Sequence, residues 1–119
     1  MSLPLAWHLK EKTIDALEKV RQLVSAGEVR ISDHGYDELA EDKIRVRDVL
    51  DDLADAKVVG DYPGFGKGPS VLVLQRDHDR NPIHVVWGIP KGAERPAVLV
   101  TAYRPDSARW TDDFMERLK

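Results

Sequence analysis

Two histidines, a Thr-Ala-Tyr-Arg run and a glycine-rich loop are the places where this chain offers chemistry. His34 follows a Ser-Asp pair and falls in the first turn of an expected helix. A neutral imidazole there serves either as a base or as a capping or core histidine bonded to backbone. His84 lies inside the apolar run Ile83–Ile89. Strand alternation sets Ile83, Val85, Trp87 and Ile89 on one face and His84, Val86 and Gly88 on the other. His84 therefore faces either a polar pocket or solvent. Thr101-Ala-Tyr-Arg104 ends a second apolar run. Simple alternation places Thr101 and Tyr103 with Leu99, and Arg104 with Val98, Val100 and Ala102. A guanidinium fork holds phosphate or carboxylate. A tyrosine holds an oxyanion or stacks on a base. The plainer alternative pairs Arg104 with a helix carboxylate and buries Tyr103.

The loop Gly64-Phe-Gly-Lys-Gly68 lacks both the G-x-x-x-x-G-K-[ST] order and a following helix, so it is no phosphate-cradling loop of that type. It reads as a mobile loop from which Phe65 and Lys67 can touch a ligand. Asp77-His78-Asp79 with His84 offers nitrogen and oxygen ligands, but a hairpin turn is the natural home of such residues. No H-x-x-x-H pair and no G-x-S-x-G elbow exists, and there is no cysteine to act as thiolate nucleophile or ligand. No metal and no cofactor is expected.

The elements that must position these groups follow from periodicity. Pro4–Ala26 reads as a helix with Ile14, Leu17, Val20 and Val24 on one face, Thr13 as a possible cap of a shorter version and Gly27 beyond its end. Val29-Arg-Ile31 is a short extended link or strand. Ser32 or Asp33 caps a helix from about Asp33 to Glu41, and a third helix runs from Val46 to Asp55. Strands follow at Lys57–Tyr62, Ser70–Arg76, Ile83–Ile89 and Ala97–Tyr103, with Thr111 capping a short terminal helix to Lys119. Helices first and strands later predict an α+β fold, with helices on one face of a four-stranded antiparallel sheet.

At 119 residues the chain fits one domain, and 42% hydrophobic residues suffice for a core. No apolar run approaches the ~18 residues of a membrane helix, and no signal peptide is visible, so no membrane association and a cytoplasmic location are expected. The net charge is −3, which argues weakly against a nucleic-acid partner. Its distribution is uneven: Asp33–Asp55 holds nine carboxylates against three bases, whereas Val58–Trp110 holds seven bases against five carboxylates.

Four segments in fixed order carry a family resemblance: Val58-Val-Gly-Asp-Tyr-Pro63, Gly68-Pro-Ser-Val-Leu-Val-Leu74, Pro82-Ile-His-Val-Val-Trp87, and Val98-Leu-Val-Thr-Ala-Tyr-Arg-Pro-Asp106 followed by Trp110. Together with His34, this resembles a bacterial family of small domains of unknown function. Its pattern is a histidine opening a helix, a YP turn, an LVL…PLHVV hairpin and a TVYRPD…W ending, and it looks related to the RelE/ParE and BrnT-type toxins of toxin–antitoxin pairs. The resemblance covers Ile31–Trp110, leaving residues 1–30 as a helical extension and 111–119 as a terminal helix of one domain, 1–119. It implies a barnase/RelE-like α+β fold with a curved antiparallel sheet, and a metal-independent ribonuclease with RNA as substrate and an antitoxin-like protein as partner. On that reading His34, His84, Tyr103 and Arg104 are catalytic, with Thr101, Arg76, Lys67 and Trp110 binding substrate. The chain departs from the family where members often carry arginines along the helix after the histidine: here Glu38 and Asp42 stand. An acidic face repels RNA. The alternative is a non-catalytic interaction domain whose acidic helical face meets a basic protein.

Overall fold

The computed structural model describes residues 15–119. The expected helix start at Pro4, its face residue Ile14 and its alternative cap Thr13 lie outside the described residues. Helix α1 (Ala16–Ser25) is capped by the Asp15 side chain, which accepts from Glu18 N at 2.8 Å. Its end is a Schellman closure: Glu28 N donates to Leu23 O and Gly27 N to Val24 O, with Gly27 at φ 78°. Leu17 and Val20 are its buried face.

Strand β1 (Val29–Ile31) leads into α2 (Asp33–Glu41), capped by Ser32, whose Oγ accepts from Gly35 N at 2.9 Å. Lys43, at φ 56°, breaks the helical path before α3 (Val46–Asp51). The expected helix to Asp55 stops early and tightens into a 3-10 turn over Leu53–Asp55. Two tertiary contacts hold this end. The Asp52 carboxylate leaves to accept Arg76 N at 2.7 Å, and the Arg21 guanidinium takes the Leu53 and Ala56 carbonyls at 3.1 and 3.0 Å. Carbonyls at a helix end need partners, and here a side chain from α1 supplies them.

Strands β2 (Lys57–Tyr62), β3 (Ser70–Arg76), β4 (Pro82–Gly88) and β5 (Ala97–Tyr103) form the antiparallel part of the sheet. The expectation of four antiparallel strands needs correction. The sheet has five strands in the order β1-β5-β4-β3-β2, and β1 runs parallel to β5. β5 would otherwise be an edge, and Val29-Arg-Ile31 pairs with Ala97, Val98 and Leu99 to cover it.

One face of the sheet carries the core. Val71, Val73, Ile83, Val85, Trp87 and Leu99 pack against Leu17, Val20, Leu39, Val49 and Leu53 of the helical layer. Each such side chain contributes about 1.5–3 kcal/mol by leaving water. A buried polar relay crosses this core: Trp87 Nε1 donates to Gln75 Oε1 at 3.0 Å, and Gln75 Nε2 donates to Val49 O at 2.6 Å.

The expected terminal helix at Thr111–Lys119 does not form. The segment closes on itself instead. Thr111 N donates to Glu116 O, Leu118 N to Arg109 O, and Trp110 pairs with Arg117 as an isolated bridge. Asp113 accepts from Thr111 Oγ1 and Met115 N, and Phe114 sits at φ 60°. A helix this short gains little by itself. The closed loop gains an anchor on the sheet, because the Phe114 carbonyl accepts from His84 Nε2 at 2.8 Å.

Candidate functional site

The sheet face opposite the core divides into a covered end and an open end. At the covered end His84, paired across the sheet with Tyr103, is fully buried. Its ring stands edge-on to Trp110 at 4.4 Å and to Tyr103 at 5.3 Å between centroids. Both ring nitrogens are engaged: Nε2 with Phe114 O at 2.8 Å and Nδ1 with Tyr103 Oη at 3.1 Å. A carbonyl only accepts, so Nε2 carries the proton and Nδ1 accepts from the Tyr103 hydroxyl. Burial lowers the His84 pKa, with the Phe114 carbonyl opposing. Burial raises the Tyr103 pKa, opposed by Arg117 and reinforced by Tyr62. This end of the face is a neutral, saturated anchor for the C-terminal loop, not an exposed base.

The open end is a cleft of about 660 Å³. Val86, Val98 and Val100 form much of its floor, while Arg30, His34, Tyr62, Phe65, Lys67 and Thr101 surround them. A β-bulge shapes this floor. The β4–β5 register slips between Val86, opposite Thr101, and Trp87, opposite Leu99. Leu99 and Ala102 stay in the core, while Val100 and Thr101 both reach the cleft. Simple alternation had grouped Thr101 and Tyr103 with Leu99, and the bulge separates them.

Ser32 locks the cleft's helix side to that bulge. Its N donates to Leu99 O at 3.1 Å and its Oγ donates to Val100 O at 2.8 Å while capping α2. Gly35 permits the approach, since a Cβ there would meet Leu99 O at 2.8 Å. His34 is thereby held at the cleft, 66% exposed, with Nε2 3.6 Å from Glu38 Oε1. The loop between β2 and β3 is fixed at its base. Lys91 N donates to Lys67 O, Ile89 N donates to Pro69 O, and Gly68, at φ 126°, lies where any Cβ would strike Ile89 O.

The structure brings together His34, Thr101 and Lys67 in this cleft, and not the others. His84, Tyr103 and Trp110 belong to the buried anchor. Arg104 turns to the β3–β4 turn, where Nη1 meets Asp77 Oδ2 at 2.9 Å, while its backbone N donates to Asp42 Oδ2 at the end of α2 at 2.8 Å. Burial alone would raise the Asp77 pKa, but hydrogen bonds from Asn81 N and Arg104 hold it below the usual carboxylate range. Arg76 lies at the far end of β3, donating to Arg80 O at 3.1 Å. Sequence reasoning did not single out Arg30 or Tyr62 as ligand-facing. The polar member of Val29-Arg-Ile31 was the available signal for Arg30, but it became informative only once that segment was a strand beside β5.

Among the described residues the cleft lining carries Arg30, Lys67 and His34 and no carboxylate. Three carboxylates of the acidic layer are held by internal partners. Asp48 pairs with Arg45 and His78, and these hydrogen bonds lower its pKa despite burial; Asp52 holds Arg76 N and Arg80; Asp42 holds Arg104 N. Among the described residues no cluster of His, Asp and Glu is arranged to hold a metal ion, and no helix is long and apolar enough to cross a membrane. No curated protein and no solved structure matches the chain. A family profile does match: that of a domain of unknown function (DUF4258), over residues 31–104. The match runs from the end of β1 to the residue after β5, well over half of the chain, and the chain therefore belongs to the DUF4258 family.

Proposed function

We propose that this chain is a metal-independent, toxin-like ribonuclease that holds an RNA strand in the cleft. The observation that carries this reading is the lining: cationic or neutral groups only, on a chain whose net charge is −3. Segregated positive charge in a concave, largely apolar site suits a phosphodiester bearing flat bases. His34 takes the proton of a ribose 2′-hydroxyl, and the oxygen attacks the adjacent phosphorus. The 5′-oxygen leaves with a proton from water, giving a 2′,3′-cyclic phosphate and a 5′-hydroxyl. Arg30 and Lys67 offset the charge that builds on the phosphate oxygens, and Thr101 offers a hydroxyl donor. Glu38, 3.6 Å from His34 Nε2, orients the imidazole.

The test is incubation of end-labelled RNA with the purified protein in excess chelator. Cleavage with cyclic-phosphate ends, reduced at least a hundredfold in His34→Ala, supports the reading. Intact RNA with folded wild-type protein refutes it. A second reading rests on Asp33, Asp37, Glu41, Asp51 and Asp55, which are exposed on the helical layer. They favour docking of a basic, antitoxin-like protein there, which charge reversal at Asp51 and Asp55 would weaken.

A further inference from the structure

The loop after β2 places two aromatic rings beside the cations of the cleft. Tyr62 is 49% exposed and Phe65 53% exposed, and both line the cleft with Lys67. Exposed apolar surface gathered in one cleft and rimmed by polar groups marks a ligand-binding groove, whereas scattered single side chains do not. The hydroxyl end of the Tyr62 ring lies against Gly60, in the space a Cβ there would fill. The ring end is thus fixed beside the β2 backbone while about half of the residue stays exposed. Phe65 sits at the loop tip, between Gly64 and Gly66, over a base fixed by Gly68 N donating to Phe65 O at 2.9 Å.

We propose that Tyr62, held against Gly60, and Phe65 form a stacking platform for one unpaired nucleobase, with Lys67 and Arg30 taking the phosphates on either side. The inference rests on the ribonuclease reading and adds a substrate class to it: single-stranded nucleic acid over duplex. Bases stacked inside a duplex have no free face, whereas a single strand offers one at every residue. Charge alone would not discriminate in this way.

The probe is a short fluorescein-labelled oligodeoxynucleotide, which lacks the 2′-hydroxyl and cannot be cut, measured by anisotropy as a single strand and as a duplex. Wild type is expected to bind the single strand at least about tenfold more tightly. Tyr62→Leu and Phe65→Leu, which keep apolar bulk but lose the ring, are each expected to weaken single-strand binding about tenfold and leave duplex binding unchanged. Gly60→Ala keeps both rings but displaces Tyr62, and is expected to act in the same direction. Circular dichroism checks that each variant is folded. Equal affinity for both probes, or leucine and alanine variants that bind as wild type does, overturns the platform; if wild type still cuts RNA, the ribonuclease reading stands. No binding of either probe and no RNA cleavage overturns both.

Discussion

Replacing His84 by phenylalanine separates the anchor from the cleft. The ring is fully buried, and phenylalanine is close enough in shape to fill its place against Trp110 and Tyr103. What is lost is the donor to Phe114 O and the acceptor for Tyr103 Oη. Tyr103 is part-exposed and can turn its hydroxyl to water, so that loss is small. The Phe114 carbonyl loses its only side-chain partner among the described residues, at a backbone φ of 60° that the closed loop must keep. An unsatisfied group costs about 1–3 kcal/mol. For a domain near this size that corresponds to a fall in Tm of roughly 4–8 °C per kcal/mol. Amide exchange should locate the effect, with protection lost first at Phe114, Glu116 and Leu118. The pH dependence sharpens the test. The folded His84 pKa lies below its ordinary value of 6.5, so its stabilising contribution is complete above pH 6.5 and is lost as pH falls through the folded pKa. Wild type should lose up to about 1.4 kcal/mol per pH unit in that window relative to His84→Phe. Identical Tm and identical pH profiles for the two proteins would refute the anchor.

Two other substitutions test the frame around the cleft. Gln75→Leu leaves Trp87 Nε1 and Val49 O unpaired in the core and should cost about 2–4 kcal/mol in urea unfolding, with RNA binding by the folded fraction unchanged. Arg104→Leu leaves the Asp77 carboxylate buried without its cation. Because Arg104 is about a third exposed, we expect a loss near 1–2 kcal/mol rather than the full cost of breaking a buried pair. Arg104→Leu should also leave RNA affinity unchanged, whereas a phosphate-clamp role would weaken it.

Much of this frame was legible in the sequence. The α2 span with a cap at Ser32 or Asp33, the extents of β2, β3 and β5, and the face that carries His84 all follow from local periodicity and capping chemistry, and the structure selects Ser32 as the cap. The site was less legible, for physical reasons that lie between distant residues. The bulge at Val100 and Thr101 falls in a run of good strand formers with no glycine to mark it, so alternation misassigned Thr101. Arg104 looked like a phosphate clamp because its partner, Asp77, belongs to another hairpin. Thr111 with Asp112 and Asp113 looks like a helix start, yet Asp113 turns back to Thr111 and the His84 donor holds Phe114 in a left-handed conformation. The acidic stretch reads as one face in sequence, but it divides: Asp42, Asp48 and Asp52 are held by internal partners, while Asp33, Asp37, Glu41, Asp51 and Asp55 stay exposed outside the cleft lining.

The most direct measurement of the central claim is the salt dependence of RNA binding by wild type and by Arg30→Glu, Lys67→Glu and the double variant. Both cations line the cleft, and each phosphate contact to a single strand contributes about 0.7 to the slope of log K against log salt. The account predicts that each single variant lowers that slope by about 0.7 and weakens binding, that the double variant lowers it about twice as much, and that Asp51→Lys on the helical layer changes it little. An unchanged slope in the Arg30 and Lys67 variants, or a large gain from Asp51→Lys, would place RNA away from the cleft and contradict the account.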